Sequence, residues 1–175
     1  MISNINYRYW QFIQSLKSSP GENDWLKIGG ILSENELALF KKLPTPDQNH
    51  SLRVLQTLEL ENEIDPDLIK AALLHDLGKI RYPLRRWERI FAVLVKTIFP
   101  KRYHQWGAGD PSGLKRPLVV INQHPDWGAD LAQQAGSSLT TVWLIRNHES
   151  TLDSGSQNNH DLILLNKLQK ADNQN

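Results

Sequence analysis

Apolar residues in this chain recur mainly at helical spacing, and the strict alternation of a half-buried strand is scarce. The breaks between the apolar stretches are residues that start or stop helices. In LSENELALFKKL, Ser33 precedes Glu36 by three positions, a capping-box pattern, and Leu37, Leu39 and Phe40 form the stripe behind it. Thr45-Pro46 and Asp65-Pro66 each set a capping side chain before a proline, which predicts helices from about 46 and 66. A further helix is expected in LRRWERIFAVLVKTIF, ending before Pro100, with its apolar IFAVLV run buried in the bundle. KRYHQWGAGDPSGLKRP reads as loop, from its Gly and Pro clusters. A helix from about 126 should stop at Gly136, and Ser138 should cap the next, running to about 147. STLDSGSQNN reads as loop and HDLILLNKLQKAD as the last helix. The expectation is an all-α, single-domain bundle of about seven or eight helices. Residues 1–44 form a helical lead-in to a domain at 45–175, with Trp10 and Trp25 as core anchors.

Six histidines supply the functional signal. His50 shares a helix face with Val54 and Leu58, and His75 follows Leu68 and Ala72 on another. His148 lies four residues after Leu144, and Asp172 is in line with Leu165 and Leu168. His124, just before Pro125, and Asp76 read as helix-end residues. A lone inward histidine is ordinarily a satisfied core residue. That account must be repeated for every helix, whereas a buried carboxylate without a partner is costly. Gathering the groups around cations satisfies them together, and two divalent ions need about this many N and O ligands with one carboxylate bridging. With no cysteine in 175 residues, thiolate ligands and disulfides are excluded.

The segments holding these residues resemble the HD-domain metal-dependent phosphohydrolases, in the six-ligand branch written H…HD…H…H…D. They read DQNHSLRV at His50, LLHDLGKI at His75 and Asp76, NQHPDWGADLA at His124, LIRNHES at His148 and LQKADN at Asp172. HPDWGADL and IRNHE are similar to segments of HD-GYP-type cyclic dinucleotide phosphodiesterases, but the GYP element is missing, so cyclic dinucleotides are not implied. The resemblance implies a helical fold with two divalent metal ions (Fe, Mn, Zn or Mg) at its centre. His50, His75, Asp76 and Asp172 would hold one, and Asp76 would bridge to a second held by His124 and His148. Asp76 and Lys79 would be catalytic, a metal-bridging hydroxide would attack phosphorus, and Lys79 would meet the substrate phosphate or leaving group. Gly78 is read as the residue that lets the chain turn after Asp76. The implied substrate is a phosphomonoester or phosphodiester in a nucleotide or other small phosphorylated molecule, with Arg85, Arg86 and Arg89 as further phosphate contacts. Two other readings share these residues: a di-iron oxygenase on the same ligands, and a non-catalytic module that binds a nucleotide or a membrane surface.

Composition sets the remaining limits. A chain 39% hydrophobic and 22% charged reads as soluble and globular. It lacks a signal-peptide series and any apolar run of spanning length, so a cytoplasmic location is expected. The net charge of +1 hides an asymmetry: residues 79–116 carry ten of the 20 Lys and Arg and two of the 19 Asp and Glu. Such a stretch attracts phosphate or anionic lipid, so peripheral membrane contact is a further expectation. No dedicated nucleic-acid binding is expected, because no recognised module accompanies the basic stretch.

Overall fold

The computed structural model describes residues 19–150 and 159–175, which are helical with no strand. The nine α-helices among them are α1 (Glu22–Ile31), α2 (Glu34–Phe40), α3 (Thr45–Leu60), α4 (Pro66–Leu74), α5 (Arg86–Ile98), α6 (Pro100–Trp106), α7 (Arg116–Gln134), α8 (Leu139–Asn147) and α9 (Asn159–Asn173). Short 3-10 turns occupy Leu77–Ile80 and Gly113–Lys115. The predicted 150–159 loop and Trp10 fall largely or wholly outside the described residues.

The local chemistry accounts for most boundaries. Asp65 caps α4, its Oδ1 accepting from the amides of Asp67 and Leu68, and Pro66 fills the first helical position. Ser138 caps α8 through the Thr141 amide, and Gly136 takes the left-handed conformation that ends α7. For α3 the cap position is Pro44, and Thr45 is already helical. One core, formed by residues such as Leu55, Leu68, Leu74, Leu144 and Leu165, joins α3, α4, α8 and α9. Ile28 and Phe40 of the lead-in helices enter the same core, and Trp25 packs edge-on against Phe40.

Glu36 fastens this lead-in. Its carboxylate is almost completely buried, accepts from the Ser33 amide and the Ser137 hydroxyl, and meets Lys70 at 3.2 Å. Burial works against ionisation, but the Ser137 and Ser33 hydrogen bonds and Lys70 outweigh it and lower the pKa. Because the folded value is depressed, the stabilisation is present above the ordinary glutamate value of 4.5 and is lost as pH falls through the folded value. Glu36→Ala should cost about 2 kcal/mol at neutral pH. In urea melts, the gap between the two chains should narrow as the solution is acidified; a pH-independent gap would refute the charge argument.

Three expectations are corrected. Residues 100–106 form a helix, not loop, because Pro100 is acceptable at a first helical position. Pro125 lies inside α7 and does not precede it. The apolar run of α5 is not buried: Trp87, Ile90, Val93, Leu94 and Ile98 are all more than half exposed. Ala92 and Val95 of that run are buried in a small second core with Tyr103 and Leu118, and half-buried Phe91 packs against it. The side of α5 facing the protein also carries charge, all of it paired with other elements: Glu88 meets Arg116, Arg89 meets Asp47, and Lys96 meets Glu149.

Candidate metal centre

Five helices and one 3-10 turn converge where α4 ends. His75 caps the C-terminus of α4, and Asp76 opens the Leu77–Ile80 turn. His50 comes from α3, His124 from the middle of α7, His148 from the end of α8 and Asp172 from the last turn of α9. His75, Asp76, His124 and His148 are buried, while His50 and Asp172 are half-buried. His50 Nε2 lies 2.8 Å from Asp172 Oδ1, and His75 Nε2 is 3.7 Å from both Asp172 Oδ1 and Asp76 Oδ2. His124 Nε2 is 3.2 Å from Asp76 Oδ1 and 3.2 Å from His148 Nε2. Potential ligand atoms thus form two groups, each within 4.8 Å: His50, His75 and Asp76; and Asp76, His124 and His148. Asp76 belongs to both and turns a different oxygen to each.

The backbone fixes which ring nitrogen faces inward. His75, His124 and His148 each place Nδ1 on the carbonyl three residues earlier, at Ala72, Ile121 and Ile145, at 3.0, 2.8 and 2.7 Å. A carbonyl only accepts, so Nδ1 carries the proton and Nε2 presents a lone pair. A hydrogen bond from the outer ring nitrogen to a backbone carbonyl fixes the ring so that the other nitrogen can face a metal. Pro125 contributes to it. Without an amide hydrogen, Pro125 cannot bond the Ile121 carbonyl, and His124 Nδ1–H uses that acceptor instead. The proline in mid-helix therefore has a local compensation.

The donor set fits a divalent cation on its own chemistry. His75 Nε2 is buried with no hydrogen-bond partner, and the lone pairs of His124 and His148 face one another. Burial lowers the pKa of His75 despite the opposing pull of Asp76 and Asp172. His148 is pushed far lower by burial and by His124 and His75. Burial raises both carboxylates, but Lys79, His75 and His124 more than reverse this at Asp76. The His50 hydrogen bond and His75 do so at Asp172. Neutral imidazoles and ionised carboxylates are the forms that bind metal, so loading would demand little proton release from these groups near neutrality.

The turn after Asp76 brings Lys79 back, its Nζ 2.6 Å from Asp76 Oδ2. Burial would lower the Lys79 pKa, but Asp76 and Asp47 raise it overall, so the ammonium is charged. Gly78 is not needed for an unusual backbone angle. It is needed for space, since a Cβ there would stand 2.0 Å from the carbonyl oxygen of His124. The glycine thus lets the HD turn lie directly on α7, and the turn-freedom reading is replaced by one of close approach.

A cavity of about 540 Å³ opens beside the centre, walled in part by Asp47, His50, Asp76, Lys79, Arg86 and Arg89. Arg89 is held by a bidentate pair with Asp47, at 2.5 and 2.7 Å. Arg85 is exposed at the N-cap of α5 and is not in this wall. Asp47 and Arg53 also wall the cavity, and the sequence reading missed both. Their spacing of three from His50 on either side was the available signal, since it sets all three along one side of α3.

A family model described as HD domain matches residues 48–173. No curated protein and no solved structure matches the chain.

Proposed function

Because the chain belongs to the HD domain family, we propose that it hydrolyses a phosphoester in a small phosphorylated molecule such as a nucleotide, using two divalent cations. The carrying observation is the pair of donor groups sharing Asp76. His50, His75, Asp76 and Asp172 would hold one ion, and Asp76, His124 and His148 the other. Bound there, divalent cations supply Lewis acidity towards water and phosphoryl oxygens.

The chain's own residues supply the remainder. Arg53, Lys79, Arg86 and Arg89 wall the cavity against two carboxylates, Asp47 and Asp76, a surplus of positive charge suited to an anionic substrate. Lys79 sits three residues from the shared ligand and supplies an ammonium where phosphoryl charge would build. Arg89 is oriented by Asp47, so its guanidinium is positioned before substrate arrives. The surplus of cations supports the phosphoester reading over an oxygenase with a neutral substrate.

Elemental analysis of the purified chain beside His124→Ala tests the assignment. Close to two metals per chain, reduced to one in the variant, is expected, together with activity on a phosphoester panel. No metal after reconstitution with Fe, Mn, Zn and Mg would remove the basis of the proposal. A loaded chain inactive on the panel would overturn the hydrolase reading but leave the metal centre intact.

A further inference from the structure

α5 is an amphipathic helix turned inside out. A surface helix ordinarily directs apolar residues to the core and charges to water. Here Glu88 is buried and held by the Arg85 amide and Arg116, and Arg89 and Lys96 also pair with carboxylates of other elements. The opposite side presents Trp87, Ile90, Leu94 and Ile98, with Val93 at one edge and Phe99 just beyond the helix end. These six are 47% to 62% exposed. The polar side is thus committed to the protein, and a contiguous apolar face is left outward, as expected of a surface that something covers.

Charge decides what covers it. Arg85 and Arg86 stand at the start of the face, Arg81 just before it, and Arg102 beyond its far end on α6; all four are exposed. Of the two acidic residues at 79–116, Glu88 is buried and paired, leaving only Asp110 exposed. A second copy docking through this face would bring the same cationic rim against itself. Residues 1–18 carry Arg8 and Lys17 and no acidic residue, so they do not complement the rim either. A bilayer with anionic headgroups matches both features, apolar surface in the middle and positive charge around it.

We infer that the outward face of α5 docks on an anionic membrane surface, with Trp87, Ile90, Leu94 and Ile98 at the acyl boundary and the flanking arginines at the headgroups. No helix among the described residues is long and apolar enough to cross a membrane, so the contact lies in the interface plane. Arg86 and Ile90 belong to this face and also to the wall of the cavity beside the metal centre. Docking therefore brings that cavity's mouth to the headgroup layer. The inference holds whatever reaction the centre performs.

The test is cosedimentation of the full chain with phosphatidylcholine vesicles, with and without about one-third phosphatidylglycerol. The chain should pellet with the anionic vesicles and not with the neutral ones, and high salt should weaken binding. The exposed pair Leu94→Glu/Ile98→Glu should lower partitioning at least about tenfold with the helical circular dichroism unchanged. Failure of the unmodified chain to pellet would overturn the inference. So would equal binding to neutral vesicles, or a variant that binds as well as the parent. A concentration-dependent dimer in solution, abolished by the two glutamates, would assign the face to a second copy instead.

Discussion

Asp76→Asn should empty both metal positions and lower kcat/KM on the best phosphoester by about a thousandfold or more. The size of the effect follows from the sharing of one carboxylate. Its Oδ1 lies 3.2 Å from His124 Nε2, and its Oδ2 is 3.7 Å from His75 Nε2. Every other candidate ligand belongs to one side only, so His124→Ala is expected to leave one ion where Asp76→Asn leaves none. Asparagine keeps the side-chain shape but supplies a neutral amide, which would remove the carboxylate charge that offsets the repulsion between two close dications. Lys79 loses its nearest carboxylate in the same variant, so phosphate binding and metal loading should fail together. Metal content separates the contributions, because Lys79→Met should retain both ions and lose only rate. An Asp76→Asn protein with normal metal content, or with activity within tenfold of the parent, would exclude the bridging role.

Much of this centre was legible because polar residues occupied positions where helical periodicity demanded apolar ones. His50, His75 and His148 were each placed inward by their neighbours, and the structure brings them together with Asp172. His124 was readable as a participant but not in its setting. Pro125 signals a helix start by its missing amide hydrogen, and whether a nearby side chain takes the freed carbonyl depends on a rotamer. Asp47 lies in the first turn of a helix read from Thr45-Pro46, where an acidic residue is ordinary. Its bidentate hold on Arg89 spans 42 positions and leaves no local trace.

α5 failed for a different reason. Periodicity reports that one side of a helix is apolar, but it does not report which way that side turns. Burial was the natural expectation for IFAVLV, yet the ion pairs to Asp47, Glu149 and Arg116 orient the helix the other way. Each pair joins α5 to a different element, and pairing of that kind is invisible to any window of neighbouring residues. The charge asymmetry at 79–116 was the one sequence feature that pointed outward.

Among the described glycines, Gly78→Ala should be the most damaging substitution. The new Cβ would stand 2.0 Å from the His124 carbonyl oxygen and 2.8 Å from its Cα, and neither backbone atom can move aside as a side chain would. Gly128 faces the same junction, with a Cβ position 3.0 Å from the Gly78 amide nitrogen, so the gap cannot open in that direction either. Separating the turn from α7 should cost about 3 kcal/mol or more, a fall in Tm of roughly 6–12 °C for a chain of this size. His124 rides on the atoms that must shift, while His50 does not. The ion of the His124 and His148 side should therefore be lost at lower chelator concentration than its neighbour. Gly29→Ala supplies the control of opposite sign. Gly29 lies in α1 with nothing near its Cβ position, so alanine there should stabilise by about 0.5–1 kcal/mol. Thermal melts of the two variants beside the parent decide the matter: a Gly78→Ala protein that melts with the parent and holds both ions would mean that the HD turn and α7 are not in the close contact described.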